Sequence, residues 1–276
     1  MAKISAAILA RNEERNIEHC LQTLRWCDEI VVVDMESEDR TVEIAKKYTD
    51  NIYHHEKIPA FDIAKKLCVE KTTGDWVLLI DADEMVPPPL ALLLRDTAEK
   101  DEADIALVPF RHYLLGECVR HAGWGYTPMP RFFRKGAIAF TETIHAYQHV
   151  VEGARQVLLP CRDENCIVHF NYRDSFHFVE KLNRYTGVEA QHLFEKQARF
   201  SYGALLKAGA REFWARYYTL KGYKEGERGF SLSLMMFFYR VLSHIKLWEM
   251  QEFHHDPVEA RYERLRQEIL QQWDAK

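Results

Sequence analysis

The sequence predicts an α/β protein built on an open sheet with helices on both faces, extended by a purely helical C-terminal region. Three observations carry this. Over the first hundred residues, continuous apolar runs alternate with segments whose apolar residues fall at helical spacing, the pattern of strands buried on both faces. Three of these runs stop at polar or acidic residues, and ligands of open α/β sheets sit beyond the carboxyl ends of the strands. From about residue 175 onward the periodicity is helical throughout.

Ile4 to Leu9 reads as the first strand, ending at Ala10, Arg11 and Asn12. Asn16 to Trp26 reads as a helix, with Ile17, Cys20, Leu21 and Leu24 on its apolar face. The β-branched run Ile30 to Val33 stops at Asp34, after which Ser37 or Asp39 caps a helix through Lys47. A strand near Ile52 and a helix from Phe61 to Glu70 lead to the strand Trp76 to Ile80 and the acidic stretch Asp81-Ala-Asp-Glu84. Pro87 to Pro89 open a helix through Lys100, since proline is tolerated in a first turn. Ile105 to Leu115 reads as one longer strand, and 123–151 as loops and short strands without clear period. Helices follow over 176–194, 205–218, 232–250 and 257–273. The expected division is a domain over residues 1–172 and a helical region over 173–276.

With 37 basic and 42 acidic residues among 276, the formal charge is −5, and 47% of the chain is apolar. That composition excludes disordered and collagen-like classes, and its acidic balance excludes a generic nucleic-acid binder. Cys20, Cys27, Cys68, Cys118, Cys161 and Cys166 are scattered, and no signal peptide is recognisable. A reducing cytoplasm without a disulfide framework is therefore expected. Cys161 and Cys166 lack the partners of a four-ligand zinc site.

Asp81 and Asp83, two residues apart at a strand end, suit a divalent cation held by oxygen ligands. Magnesium and manganese keep positions for water or phosphate rather than fill an all-protein cage. An ion shared by Asp83 and the two phosphates of a nucleoside diphosphate would act as a Lewis acid for the departing diphosphate. Asp81 is placed to accept hydrogen bonds from ribose hydroxyls. The plain structural alternative is that Asp34, Asp81 and Asp83 cap the helices that follow.

Ser5-Ala-Ala-Ile-Leu-Ala-Arg-Asn-Glu-Glu-Arg-Asn-Ile-Glu-His-Cys-Leu21 resembles the opening of glycosyltransferase family 2 enzymes. So do Glu29-Ile-Val-Val-Val-Asp34 with Ser37, Asp39 and Thr41, and Gly74-Asp-Trp-Val-Leu-Leu-Ile-Asp-Ala-Asp-Glu84. Pro130-Arg-Phe-Phe-Arg-Lys135 and Lys221-Gly-Tyr-Lys-Glu-Gly-Glu-Arg-Gly-Phe230 resemble the lipopolysaccharide-core branch, which includes β-1,4-glucosyltransferases acting on inner-core heptose. The resemblance implies a GT-A fold, a Rossmann-like mixed sheet flanked by helices. It also implies a nucleoside-diphosphate-sugar donor, expected to be a UDP-sugar, with Mg2+ or Mn2+ and inverting transfer of a hexose, glucose in that branch. By the same resemblance, Ala10, Arg11 and Glu13 line the nucleotide, Asp34 bonds the base, Asp81 faces the ribose and Asp83 ligates the metal. Lys65 and Lys66 stand where relatives carry a basic residue and then Asn, which implies a phosphate or base contact; a solvated helix face is the alternative.

Inverting transfer needs a group to take the acceptor hydroxyl proton. The branch places a His-Glu pair after its Arg-rich segment, whereas this chain reads Thr141-Glu-Thr-Ile-His-Ala146, so alanine stands in place of glutamate. Glu142 is expected as the base and His145 as a site residue; the alternatives are His145 itself as base or metal ligand, or a base elsewhere in the chain. His169 matches a His-Tyr segment of the branch and orients acceptor or diphosphate, unless it is a satisfied core histidine. Arg131 and Arg134 neutralise phosphate, or form salt bridges on a strand face.

Between Arg199 and Lys246 nine basic residues stand against Glu212, Glu225 and Glu227, interleaved with aromatics such as Trp214, Tyr218 and Phe230. Such a stretch suits the surface of an anionic membrane. A core helix or a homodimer seam competes with that reading. Together these features predict a cytoplasmic enzyme, peripheral on the inner membrane face, that glycosylates a lipopolysaccharide-core or other surface-glycan acceptor without a nucleic-acid partner. The competing classes are a catalytically degenerate nucleotide-sugar-binding module and a sugar nucleotidyltransferase.

Overall fold

The computed structural model describes residues 1–56, 61–140 and 149–274 of the chain. Tertiary contacts divide it into two compact units, Met1–Arg120 with Trp124–Arg173, and His121–Gly123 with Asp174–Lys276.

The first unit is built on β1 (Ile4–Ala10), β2 (Glu29–Asp34), β3 (Ile52–His54) and β4 (Trp76–Asp81), followed by the short β5 (Glu84–Met85). Their helices are α1 (Ile17–Gln22), α2 (Thr41–Ala45), α3 (Phe61–Lys71) and α4 (Pro88–Lys100). The later strands are β6 (Ile105–Val108), β7 (Phe110–Leu114), β8 (Glu117–Val119), β9 (Met129–Arg134), β10 (Ile138–Ala139), β11 (His149–Val150), β12 (Gln156–Leu158) and β13 (Ile167–Tyr172). Among the described residues the main sheet has seven strands in the order β12-β6-β9-β4-β1-β2-β3, parallel except for β9. A second sheet runs β5-β13-β7-β8.

All seven residues of β1 are buried, because the strand lies between β2 and β4 with side chains packed on both faces. One face packs Ile8, Trp76, Leu78 and Phe132 with Ile17, Leu21 and Leu94; the other packs Leu9, Val33 and Val77 with Ala64, Cys68 and Phe133. Burying each of the large side chains contributes about 1.5–3 kcal/mol. At the amino end of the sheet Gly74 is needed for space: a Cβ there would sit 2.5 Å from Ser5 Oγ and 2.8 Å from the Lys3 carbonyl.

Two expectations are corrected. The single strand over 105–115 is broken at Pro109, which cannot donate to a ladder; β6 stays in the main sheet and β7 enters the second. The stretch 123–151 contains β9, a central strand despite Pro130, whose Phe132 and Phe133 are fully buried. The strand shows no alternation because both its faces are covered, Phe132 packing in one core cluster and Phe133 in the other. The first helix is also shorter than expected, ending at Gln22, with the Thr23 hydroxyl donating to the Cys20 carbonyl at 2.7 Å.

The second unit consists of α5 (Ser175–Glu195), α6 (Tyr202–Trp214), α7 (Gly226–Glu252) and α8 (Val258–Asp274). Asp174 caps α5 by accepting from the His177 N–H, and Ser201 caps α6 by accepting from the Ala204 N–H. Residues 121–123 join this unit: the Ala122 N–H donates to the Leu220 carbonyl, and Arg216 Nη1 donates to the Ala122 carbonyl, both at 2.8 Å. Among the described residues no helix is long and apolar enough to cross a membrane. All six cysteines are free.

Candidate active site

Strand register brings the acidic ends together. Ala10 pairs with Asp34 on one side of β1, and Leu9 pairs with Asp81 on the other, so the three carboxyl ends form one edge. The loop after β1 is fastened to the loop after β2 by side chains that the sequence spaces at 37, 39 and 41. The N–H groups of Asn12, Glu13 and Glu14 donate to Ser37, Thr41 and Asp39, at 2.9, 2.7 and 3.0 Å. In return Asn12 Oδ1 accepts from the Glu38 N–H at 2.8 Å. Asn12 itself adopts positive φ, a conformation asparagine tolerates.

Asp34 is 2% exposed. Its Oδ2 accepts from the Ser37 N–H at 3.2 Å and lies 3.3 Å from His54 Nδ1, while its Oδ1 is buried with no hydrogen-bond partner. Arg11 Nε, at the adjoining strand end, is likewise buried without a partner. Buried polar atoms are normally satisfied, and leaving one unpaired costs about 1–3 kcal/mol. An acceptor and a donor unpaired at one sheet edge fit a polar ligand that supplies both missing bonds. Asp34 does not cap α2, whose N-cap is Arg40. The Glu13 carboxylate is turned locally, accepting from Asn16 Nδ2 at 2.7 Å.

Beyond β4 lies a buried charge cluster. Arg131 on β9, 6% exposed, donates through Nη2 to Asp81 Oδ2 at 2.8 Å and to Glu84 Oε1 at 2.9 Å. Lys65 on α3 reaches to 3.4 Å from Asp81 Oδ1, so it belongs to the edge rather than to a solvated face. Lys66 does not: it turns to Glu70, 4.0 Å away, because adjacent helical residues point in different directions. Burial opposes the charge on Asp81, yet Arg131 and Lys65 outweigh it and hold that carboxyl well below the usual range. Glu84 is completely buried, and burial, with Asp81 nearby, pushes its carboxyl upward against the pull of Arg131.

The antiparallel pairing of β5 with β13 sets His169 opposite Glu84. His169 Nε2 lies 3.4 Å from Asp83 Oδ1, and its Nδ1 lies 3.6 Å from Glu84 Oε1. Burial disfavours its charged form, but Asp83, Glu84 and Asp81 outweigh that and raise its pKa. Among the described residues no group of three or more His, Cys, Asp or Glu forms a complete metal cage. An ion at Asp83 would therefore share its coordination between Asp83, His169 and ligand oxygens. Neither Asp81 nor Asp83 caps the following helix, whose N-cap is Pro87.

Arg131 is thus a member of the site, but as the counter-ion of its carboxylates. Arg134, three residues on, pairs instead with Asp101 and Asp104. Glu84 was overlooked in the sequence although it is the third acid of Asp81-Ala-Asp-Glu84; only the pairing with Arg131 and His169 reveals it. Glu142, His145 and Ala146 lie outside the described residues. The flanking strands β10 and β11 pair with each other, and Ile138 and Phe140 pack in the cluster that covers the Leu9 and Val77 face of the main sheet.

The model of the family described as Glycosyl transferase family 2 matches residues 5–159. The chain belongs to glycosyltransferase family 2. Among its relatives, the lipopolysaccharide core biosynthesis glycosyltransferase LpsC of Rhizobium meliloti is 25% identical over 258 residues, covering 89% of this chain and 92% of LpsC. An uncharacterized glycosyltransferase of Rickettsia conorii is 26% identical over 269 residues, with 90% of each chain covered. The mannosyltransferase PcManGT from Pyrobaculum calidifontis, solved in complex with GDP-Man and Mn2+, matches with a TM-score of 0.52 at 13% identity, over 90% of this chain and 87% of that one. The fold of this glycosyltransferase is GT-A.

Proposed function

We propose that this family 2 enzyme transfers a hexose, glucose by the reading above, with inversion from a UDP-sugar to a lipopolysaccharide-core or related surface-glycan acceptor. The observation that carries the donor half is the unpaired Asp34 Oδ1, buried at the edge where Ala10, Arg11 and Asp81 also end. In this reading Asp34 accepts the base N–H, Ala10 and the backbone of Glu13 line the nucleotide, and Asp81 accepts from the ribose. Arg131 and Lys65 keep Asp81 ionised for that task. Arg11 donates to the nucleotide. A Mg2+ or Mn2+ ion on Asp83 and His169 would neutralise the diphosphate charge that grows as the sugar leaves. The lipopolysaccharide acceptor class is supported by LpsC, which is similar along nearly its whole length.

The described acids at the strand ends already have parts in the donor reading, Asp34 with the base, Asp81 with the ribose and Asp83 with the ion, and Glu84 is buried against Arg131. We therefore keep Glu142 as the base that takes the acceptor proton, with His145 beside it, on the segment bracketed by β10 and β11. The binding-module and nucleotidyltransferase alternatives predict no product and pyrophosphate release, respectively. Incubation with a panel of nucleotide sugars, with and without Mn2+, tests all three: release of nucleoside diphosphate with a glycosylated product supports the proposal, and pyrophosphate release refutes it.

The proposed setting is the cytoplasmic face of an anionic membrane, supported by the second unit. Lys207, Arg211, Lys221, Lys224 and Arg228 have no carboxylate partner among the described residues, while Arg216 and Arg240 are bonded to Glu212. Beside the free cations Leu206, Trp214, Tyr218 and Phe230 are exposed, a combination that suits lipid headgroups. On α8 the exposed Tyr262, Leu265, Ile269 and Trp273 recur at helical spacing among charges of both signs, which suits a second copy of the chain better than lipid. Flotation with phosphatidylserine vesicles tests the first surface, and light scattering of a Leu265→Glu/Ile269→Glu variant tests the second.

A further inference from the structure

A cavity of about 290 Å3 shares Asp83 with the proposed metal site and is otherwise lined by residues to which the donor reading gives no role. Its lining combines Arg15, Asn16, His19 and Asp83 with apolar surface from Ala82, Met85 and Phe170. Phe170 is 41% exposed, although a large aromatic gains by being covered. Arg15 and His19 make no hydrogen bond or ion pair with any described residue, and the acids around them are engaged elsewhere. Glu13 accepts from Asn16, Glu14 from the Arg40 N–H, and Glu18 from the Tyr48 hydroxyl. Asp83, in the same lining, is engaged by His169, 3.4 Å from it, and is the residue proposed above to hold the ion.

A cavity with an aromatic and thioether wall, an unneutralised guanidinium and an imidazole fits a ligand with one apolar face and a negative charge. Pyranose rings present such a face through their axial C–H bonds, and guanidinium forks match carboxylate and phosphate oxygens. We propose that this cavity receives a sugar ring bearing a carboxylate or phosphate, with the ring on Phe170 and Met85 and the charge read by Arg15 and His19. The inference rests on the glycosyltransferase reading and names the chemical class of one of its sugars. With glucose as the transferred sugar the charged ring belongs to the acceptor; a charged transferred sugar in its place would replace glucose in that reading, and the test separates the two sources.

The test uses the full chain labelled with 13C-methyl methionine, the Met85 signal being assigned from Met85→Leu. Protein saturated with UDP and Mn2+ is titrated with glucose, glucose 6-phosphate, glucuronate and inorganic phosphate. The expected result is a Met85 shift with an affinity at least tenfold higher for a charged sugar than for glucose or for phosphate alone. That preference is lost in Arg15→Ala and His19→Ala and retained in part by Arg15→Lys. A parallel comparison of UDP-glucuronic acid with UDP-glucose separates the sources: an Arg15-dependent preference there assigns the charge to the donor, and its presence only among free sugars assigns it to the acceptor. Equal affinity for charged and neutral sugars, equal affinity for phosphate alone, or insensitivity to Arg15→Ala overturns the inference. Failure of UDP with Mn2+ to raise Tm in the same samples would instead count against the donor site itself, so the two failures are distinguishable.

Discussion

The two ends of the central sheet are both rich in charge, and they use it in opposite ways. At the amino end the charges are solvent-facing and satisfied: Arg134 and Arg155 share Asp101 and Asp104, and Glu29 accepts from Ser5 and from both the N–H and hydroxyl of Thr73. At the carboxyl end Arg131, Asp81, Glu84 and His169 are largely buried, and Asp34 and Arg11 keep atoms with no partner at all. Arg131 and Arg134 sit three residues apart on one strand and belong to these two different worlds. Exposed pairs fasten a sheet end and contribute little singly, whereas incompletely matched buried charge in a cleft marks a candidate binding site.

The sharpest way to break this contrast is to disarm the proposed chemistry. Removing the proposed base with Glu142→Gln is expected to lower the transfer rate by about 10²–10⁴-fold while donor affinity stays unchanged, read from single-turnover rates and calorimetry. Asp83→Ala should lower turnover by about 10²–10³-fold, and EDTA should do the same to the unaltered enzyme; a mutant still stimulated by Mn2+ would count against the metal role. Arg131→Met should destabilise the fold by about 3–5 kcal/mol in denaturant titrations, because the buried Glu84 and Asp81 would lose the guanidinium that bonds them both. Adding Glu84→Gln to it should recover part of that loss. Asp34→Ala should weaken UDP binding by about 10–100-fold, the size of one hydrogen bond to a charged group, with Tm little changed. The smallest effect belongs to the amino end: Arg134→Met should leave donor binding and turnover unaltered. A large activity loss there would erase the distinction between the two ends.

Much of this was legible in the residues themselves. β1, β2 and β4 carry uninterrupted apolar runs that only a doubly covered strand can use, so their boundaries and the acids that end them followed from local pattern. β9 was not legible, because a strand opening Met129-Pro-Arg in a glycine-rich stretch is held in the sheet by β4 and β6 rather than by its own propensity. The same holds for the break at Pro109, where one apolar run serves two sheets. Between Arg199 and Lys246 the sequence shows nine basic residues, yet only the fold separates those bonded internally, such as Arg216, Arg240 and Lys246, from those left facing outward.

The sequence by itself determined the family, the α/β alternation and the acids at the strand ends, since each is written in consecutive residues or in a fixed local period. Only the tertiary structure decided which charges meet. Arg131 reaches Asp81 and Glu84, Lys65 reaches Asp81 while Lys66 does not, and His169 arrives at Asp83 through the β5–β13 pairing. Those distances join residues far apart in the chain, and electrostatic coupling depends on separation and burial in space, which no local pattern encodes.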